Sequence, residues 1–259
     1  MQTEALLNSG PLFEPFTVKS LSLRNRFVMA PMARKRCPGG IPDENVAAYF
    51  RRRAEAGVSL VMTESTAIDR PAASDHVGLP NFREDSIPGW ERVVQEVHRV
   101  GGNIALQLWH KGLERKPGTG PCPDAPSEGP SSDGVGRAMS ERDIADTIAV
   151  YAAAAARARQ IGFDAVEVHG AHGYLIDQFF RPQINRRTDA YGVSGENRTR
   201  FATEIVKAVR RSVGPDYPIS FRFSQWQISN YQSRLAETPN ELERFLLPFV
   251  DAGVDLLHA

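Results

Sequence analysis

The sequence predicts an α/β protein with a (β/α)8 TIM-barrel fold, of which about six βα units are present in 259 residues. Short, almost continuously apolar runs alternate with longer helical patterns, which indicates a parallel sheet covered by helices. Most runs end in a polar or charged residue, and in a barrel such strand ends meet on the face that binds ligands. No Gly-x-Gly-x-x-Gly motif follows the first run, which argues against a dinucleotide-binding sheet.

Three of the six βα units lie in the first half of the chain. Their predicted strands are residues 26–31, 58–63 and 103–108. The helices between them are predicted over residues 43–56 and 88–100. Asp43 is expected to be the N-cap of the first helix and Gly57 its stop. A stretch rich in Gly, Pro, Ser and Asp, residues 112–136, follows the third strand and is predicted to be a loop.

The second half of the chain adds the remaining units. Their predicted strands are residues 165–169, 219–223 and 254–258. The helices that precede these strands are predicted over residues 140–161, 196–213 and 238–253. Ser140 followed by Asp143 opens the first of these helices in the manner of a capping box. Thr238, Pro239 and Glu241 provide the N-cap, N1 and N3 residues expected at the start of the last helix.

The predicted strand ends carry mainly hydrogen-bonding and aromatic side chains. After the first strand come Ala30, Pro31, Met32 and Ala33, and after the third come Gln107, Trp109 and His110. The fourth strand leads to His169, His172 and Tyr174, and the fifth carries Arg222. Carboxylates are limited to Glu64 and Glu167. Because side chains alternate along a strand, Glu167 is expected on the same side as His169.

This set of residues argues against several kinds of site. A zinc site needs at least three ligands, and no clear third ligand accompanies His169 and His172. A glycosidase needs two carboxylates across its substrate, and an aldolase-type enzyme needs a strand lysine. What remains suits a planar, electron-poor ligand that bears oxygen, such as the ring of a reduced flavin. Gln107 would bond an amide edge of that ring, and Arg222 would stabilise its negative charge.

Composition narrows the partners and the compartment. The formal net charge is +0, which argues against nucleic acid or an anionic membrane as the main partner. The first ten residues lack the basic and apolar regions of a secretory signal, and no apolar run approaches the ~18 residues of a membrane span. Cys37 and Cys122 are predicted to be unpaired thiols. A cytoplasmic protein is therefore expected.

Several longer strings resemble the old yellow enzyme family of FMN-dependent ene-reductases, a group of NADH:flavin oxidoreductases. The strings are NRFVMAPM (residues 25–32), AYFRRRAEAG (48–57), QLWH (107–110), EVHGAHGYLIDQFF (167–180), RRTDAYG (186–192) and ENR (196–198). The fourth string is highly specific, and the resemblance extends from about residue 11 to the end of the chain. It implies an NAD(P)H-dependent flavin oxidoreductase with FMN as cofactor and NADH or NADPH as reductant.

The resemblance implies the residues of the flavin half of the site. They are Ala30, Pro31, Met32, Ala33, Ser65, Gln107 and Arg222. Ser65 would meet the pyrimidine edge through its backbone, Gln107 would bond the pyrimidine ring, and Arg222 would lie near N1 and O2. Many relatives carry Thr or Cys against the flavin where this chain has Ala33, so we expect a shifted flavin potential.

The resemblance also implies the substrate half of the site. His169 and His172 would clamp the oxygen of an activating carbonyl, a task that other relatives give to His and Asn. Trp109 would shape the substrate pocket. In the implied mechanism NAD(P)H reduces the flavin, and flavin N5 then delivers hydride to the β-carbon of an α,β-unsaturated carbonyl compound. Tyr174 would be the proton donor to the α-carbon.

The last two units of the expected barrel have no counterpart in the predicted elements. Residues 1–259 are therefore expected to form a single (β/α)-barrel domain that lacks the units whose loops build the family's phosphate site. The first and sixth strands would be open edges. Two alternatives stay open, namely a truncated or non-catalytic flavoprotein fragment unable to hold FMN alone, and a flavin-independent lyase that uses the two histidines. Homo-oligomer formation is also open, as is a structural ion pair of Arg222 with Glu167 or Glu64.

Overall fold

Parallel strands form the centre of the protein, whose computed structural model describes residues 10–259. The strands are β1 (Phe16–Val18), β2 (Leu21–Leu23), β3 (Val28–Met29), β4 (Leu60–Met62), β5 (Thr66–Ala67), β6 (Asn103–Trp109), β7 (Glu128–Gly129), β8 (Arg137–Ala138), β9 (Ala165–His169), β10 (Ile219–Arg222) and β11 (Leu256–His258). The helices are α1 (Glu44–Glu55), α2 (Ile87–Arg99), α3 (Glu141–Gln160), α4 (Leu175–Phe180), α5 (Gly195–Val213) and α6 (Pro239–Asp251). The prediction about a secretory signal concerns mainly residues 1–9, which lie outside the described residues.

One curled parallel sheet runs in the order β3-β4-β6-β9-β10-β11, and the short strand β5 pairs with the end of β6. Helices α1, α2, α3, α5 and α6 connect successive long strands along the chain. The sheet is a partial (β/α) barrel, so the predicted fold class is confirmed. Within residues 10–259, β3 and β11 each pair with one neighbour only, as predicted for open edges.

Each of the six predicted strands and five predicted helices has an observed counterpart, but three of the strands are clearly shorter than predicted, including 58–63, which is observed as Leu60–Met62. Predicted strand 26–31 shortens to Val28–Met29, and predicted strand 254–258 begins only at Leu256. An edge strand is hydrogen-bonded on one side alone, so fewer of its residues take part in the ladder. The helix starts are as predicted, with side-chain N-caps at Asp43, Ser140 and Thr238.

The sheet separates two apolar layers. Its outer face packs against the helices and contributes side chains such as Val61 and Phe221 to the main core. Its inner face begins with a smaller cluster, in which Leu60 and Ala165 pack with Leu23 of the β1–β2 hairpin. This hairpin, which was not predicted, covers the inner face at the amino ends of the strands. The carboxyl ends are left to form a site.

The long loop after β6 is ordered largely by polar contacts. It contains a 3₁₀ turn at Gly112–Glu114 and the strand β7, which pairs with β8. Arg115 is buried, and its guanidinium donates to the backbone carbonyls of Ser74, Thr119, Cys122 and Ala125. The predicted loop therefore holds a defined shape beside the carboxyl end of the sheet.

Two predictions about the chain as a whole can be compared with the described residues. Cys37 and Cys122 are both free thiols, as predicted. None of the helices between residues 10 and 259 combines the length and the apolarity that a bilayer crossing requires.

Candidate active site

Inward-facing side chains form two layers at the carboxyl end of the sheet. The lower layer consists of register partners on β6, β9 and β10, namely Gln107, Glu167 and Ser220. The upper layer consists of register partners on β9, β10 and β11, namely His169, Arg222 and His258. The structure thus brings together three predicted site residues, Gln107, His169 and Arg222. Ser220 and His258 were missed, because only the strand register reveals that they share this face.

Glu167 is the centre of the lower layer. Its side chain has 0% exposure, and its carboxylate accepts hydrogen bonds from Gln107 Nε2 at 2.8 Å and Ser220 Oγ at 2.7 Å. The third bond joins it to His258 Nδ1 at 2.8 Å. Gln107 Oε1 in turn accepts from Ser65 Oγ at 2.7 Å. Because all three partners of the carboxylate lie on strands, the carboxylate is held rigidly.

Arg222 is a cation with unused donor capacity. Its Nε atom is buried and has no hydrogen-bond partner among the described residues. Glu64 pairs with Arg34 at 2.7 Å, and Glu167 pairs with His258 at 2.8 Å. Neither carboxylate forms an ion pair with Arg222 in the described part of the chain, so the alternative of a structural ion pair is wrong. Burial lowers the pKa of the Arg222 guanidinium, but an arginine remains protonated in proteins.

Four rings cluster next to the upper layer. The His169 ring centroid lies 5.1 Å from that of Tyr174 and 5.3 Å from that of His172. The Trp109 ring meets Tyr174 edge to face at 5.3 Å. Trp109 is only 2% exposed, and its indole Nε1 has no partner in the described part of the chain. All the residues predicted for the substrate half therefore lie in one cluster.

The His172 side chain depends on an unusual backbone. Its φ angle is +67°, in the left-handed region that is uncommon for residues other than Gly and in which Asn, Asp and His are enriched. Its backbone N–H donates to Ser224 Oγ at 2.9 Å, and its carbonyl accepts from the N–H of Ile228 at 3.0 Å. The imidazole stacks on Trp226 with centroids 4.4 Å apart. Ser224 and Trp226 were not predicted, since they lie in a loop after β10.

A buried ion pair joins the His172 turn to that loop. Asp177 accepts from the backbone N–H of Gly173 at 3.0 Å and from Arg181 Nη2 at 2.8 Å. Arg181 also donates to the carbonyl oxygen of Ser224 at 3.2 Å. Both charged side chains are almost fully buried. The ion pair therefore fixes the two segments that together set the position of His172.

Burial keeps the candidate donors in their neutral forms. It lowers the pKa of His169 well below the ordinary value, and it lowers the pKa of His172 to about 4. Burial also raises the pKa of Tyr174 to about 12. At neutral pH both imidazoles are thus uncharged and the phenol keeps its proton. The Nδ1 atom of His169 accepts from the N–H of Ala171 at 3.3 Å, which places the ring proton on Nε2.

The segment predicted to line the flavin is an exposed apolar stretch. Met32 is 57% exposed, and Ala30 and Ala33 are exposed as well. Ala30 shares a concave space of about 280 Å³ with Ser220 and His258 of the inner face. Pro31, also predicted for this segment, is half-buried.

These residues fit the ring of a flavin. Such a ring needs an apolar surface to lie on and polar groups along its pyrimidine edge. The buried Arg222 Nε donor has no hydrogen-bond partner among residues 10–259. The Gln107 amide uses one of its two N–H groups and one of its two carbonyl lone pairs within the protein. The apolar stretch of residues 30–33, the Arg222 guanidinium and the Gln107 amide therefore lie on one face of the sheet.

His110 lies at the end of β6 but takes part in a different cluster. It is buried, and its Nε2 atom lies 3.1 Å from the carboxylate of Glu128. Glu128 also binds Arg70 at 2.8 Å. Across residues 10–259 no group of three His, Cys, Asp or Glu side chains is arranged to hold a metal ion.

Comparison with known proteins identifies related sequences. The sequence profile of the NADH:flavin oxidoreductase / NADH oxidase family matches residues 11–251. A flavin oxidoreductase of Emericella nidulans is 40% identical over 224 residues, which are 80% of this chain and 57% of that protein. A 12-oxophytodienoate reductase-like protein of Arabidopsis thaliana is 39% identical over 209 residues, 77% of this chain and 64% of that protein.

Solved structures give the same picture. The structure of morphinone reductase in complex with tetrahydroNAD has a TM-score of 0.86 at 34% identity, covering 96% of this chain and 73% of that one. The old yellow enzyme homologue from Zymomonas mobilis has a TM-score of 0.85 at 29% identity, covering 96% and 72%. The chain thus spans about 57% to 64% of the length of the two curated relatives.

Proposed function

Because the chain belongs to the NADH:flavin oxidoreductase / NADH oxidase family, and within it to the old yellow enzyme type, we propose that it is an FMN-dependent oxidoreductase. It would use NADH or NADPH to reduce the C=C bond of α,β-unsaturated carbonyl compounds. The observation that carries this proposal is the cluster of three neutral proton-bearing rings, His169, His172 and Tyr174, around one site. The proposal extends to a single barrel domain, a small-molecule substrate and a cytoplasmic location.

The flavin half of the site would hold the cofactor from two directions. The apolar stretch of residues 30–33 would support the ring, while Ser65, Gln107 and Arg222 would meet its polar edge. FMN, when bound, would supply hydride chemistry that no side chain can provide. Arg222 favours the electron-rich form of such a ring, because its positive charge is only partly screened by solvent. Ala33 adds no hydrogen bond, since its side chain is a methyl group.

The substrate half would polarise and protonate the substrate. The Nε2–H of His169 and the ring N–H of His172 would donate to the carbonyl oxygen and stabilise the negative charge that develops on it. Neutral imidazoles do this without giving up a proton to the product. Tyr174 would hold a proton on its phenol oxygen and pass it to the α-carbon. Trp109 would limit the space beside Tyr174.

A flavin titration tests this proposal directly. The purified chain is expected to take up added FMN with a shift in the visible spectrum, to lose the colour with NADPH or NADH under nitrogen, and to regain it with 2-cyclohexenone. Heat-denatured protein provides the control for free flavin. A chain that stays colourless with excess FMN would contradict the proposal and favour the alternative of a fragment unable to hold the cofactor. Turnover that survives removal of flavin would favour the lyase alternative.

The neutral histidines predict a flat pH profile for the enone half-reaction. With the pKa of His172 at about 4 and that of His169 lower than usual, neither ring changes charge near its ordinary value of about 6.5. The pKa of Tyr174, about 12, removes an alkaline inflection. The single-turnover rate of reoxidation by 2-cyclohexenone should therefore stay constant from about pH 5.5 to 9. An inflection near 6.5 that disappears in His172→Asn would contradict the neutral pair.

A further inference from the structure

The amide of Gln107 has one orientation in this structure, and a buried carboxylate determines it. The Glu167 carboxyl group accepts from the Ser220 hydroxyl at 2.7 Å and lies 2.8 Å from His258 Nδ1, so its oxygens act as hydrogen-bond acceptors here. An acceptor facing Gln107 requires the Nε2 end of the amide, at 2.8 Å. The opposite end, Oε1, then faces Ser65 and accepts its hydroxyl proton at 2.7 Å.

The reverse orientation of the amide is strongly disfavoured. It would place the carbonyl oxygen of Gln107 against the carboxylate of Glu167, and two acceptors cannot bond each other. It would also leave one oxygen of a fully buried carboxyl group without its hydrogen-bond donor. Glu167 itself cannot turn away, because Ser220 and His258 hold the other carboxylate oxygen from β10 and β11.

The fixed amide gives the site a definite order of donors and acceptors. The Nε2 end of Gln107 faces β9, and the neighbouring strand β10 carries Arg222, whose buried Nε has no hydrogen-bond partner among the described residues. The Oε1 end of Gln107 faces Ser65, which follows β4. The site thus offers hydrogen-bond donors on the side of β9 and β10 and an acceptor on the side of Ser65. The pyrimidine edge of a flavin carries a ring N–H next to a carbonyl oxygen, so it can pair with these groups in one orientation only.

From this order we infer that Glu167 is a positioning residue of the flavin site, acting through Gln107. It sets the amide so that Nε2 joins Arg222 in meeting ring acceptors, while Oε1 meets the ring N–H. Ser220 and His258 hold the carboxylate for that purpose. This inference rests on the proposed function, since it assigns a role toward the flavin ring. Glu167 would not touch the reacting atoms.

The first test is a double-mutant cycle on FMN affinity. Glu167→Gln has nearly the same shape but no longer dictates which end of Gln107 faces it. We expect the FMN dissociation constant to rise roughly 10- to 100-fold in Glu167→Gln. In a Gln107→Ala background the same change should have an effect of about threefold or less, because the residue through which Glu167 acts is gone. The absorption maximum of bound flavin should shift in Glu167→Gln.

A matched variant separates positioning from general damage. Ser220→Ala removes another donor from the same carboxylate but keeps the bond between Glu167 and Gln107. We expect it to weaken FMN binding much less than Glu167→Gln, with the spectrum of the bound flavin preserved. Equal losses in the two variants, or a Glu167→Gln effect that is just as large in the Gln107→Ala background, would overturn the inference.

A second measurement needs no flavin and therefore stands apart from the proposed function. In the flavin-free protein, the side-chain amide protons of Gln107, assigned by their loss in Gln107→Ala, should give two well-separated NMR signals with one shifted downfield by the carboxylate. In Glu167→Gln these two signals should move and broaden, with the circular dichroism unchanged. Unchanged Gln107 signals would overturn the inference. Failure of the wild-type chain to bind FMN, with the expected NMR result, would count against the proposed function alone.

Discussion

Tyr174→Phe is expected to slow enone reduction by about 10²- to 10⁴-fold, the usual contribution of a general acid. Reduction of bound flavin by NADPH should stay close to the wild-type rate, because no proton is needed from this residue in that step. The pKa of Tyr174 is raised to about 12, so its phenol keeps its proton until the reaction needs it. Phe has no such proton, and the neighbouring rings do not carry a second phenol that could replace it. Stopped-flow absorbance of the two half-reactions measures each rate separately.

Tyr151→Phe is the matched control for that experiment. It removes the same hydroxyl from a buried tyrosine on α3 that makes no ring contact with the cluster. The Tyr151 hydroxyl has no hydrogen-bond partner within the described residues, so its removal should leave both half-reactions unchanged. Equal loss of both half-reactions in Tyr174→Phe would show that Tyr174 maintains the site rather than donating a proton.

Asp177→Ala is expected to destabilise the protein by about 3 to 5 kcal/mol, because it leaves the Arg181 charge buried without a partner. Both side chains of the pair are at most 3% exposed, so water cannot replace the carboxylate. The backbone N–H of Gly173 would lose its acceptor as well. Urea denaturation followed by circular dichroism measures the change in the free energy of unfolding.

The double variant Asp177→Leu with Arg181→Met is the control for the buried charge. Replacing both partners by apolar side chains of similar volume removes the unpaired charge, and we expect it to recover most of the lost stability. Enone reduction should not recover to the same extent, because Arg181 no longer holds the carbonyl of Ser224 near His172. A loss below about 1 kcal/mol in Asp177→Ala would indicate that the charge is solvated.

The strands could be predicted from sequence where they lie inside the sheet. The apolar run at residues 165–169 matches β9 completely, since a central strand is bonded on both sides. The β1–β2 hairpin escaped prediction, because its strands are three residues long and β1 is largely exposed. Helix α4 has six residues and lies within the motif string of residues 167–180. The hairpin and α4 are both too short to show the repeating pattern of apolar residues from which strands and helices are predicted.

Glu167 shows where prediction of the site stops. Glu167 lies two residues before His169 on one predicted strand, so the sequence predicted correctly that the two side chains face the same side of β9. Its donors, however, lie 53, 60 and 91 residues away. Strand register brings these residues together, and apolar runs in the sequence do not encode that register. Sequence alone also left open whether Arg222 pairs with Glu64 or Glu167. In the structure Glu64 pairs with Arg34 and Glu167 with His258.

The loop after β10 was beyond prediction for a different reason. Ser224 and Trp226 hold His172 from a segment without regular structure. The path of that segment depends on the buried Arg181 guanidinium, which binds the carbonyl oxygens of Ser224 and Gln225. Composition identifies such a stretch as a loop but carries no information about these contacts.

The left-handed backbone at His172 limits which substitutions natural variation or a mutant library can use at this position. With φ at +67°, a β-branched or bulky residue would be strained before its chemistry mattered. Asn combines tolerance of this conformation with a side-chain N–H donor, so exchange between His and Asn is the accessible path. Diversity in substrate choice is more readily sought at Trp226, which stacks on the His172 ring and lacks the positive φ.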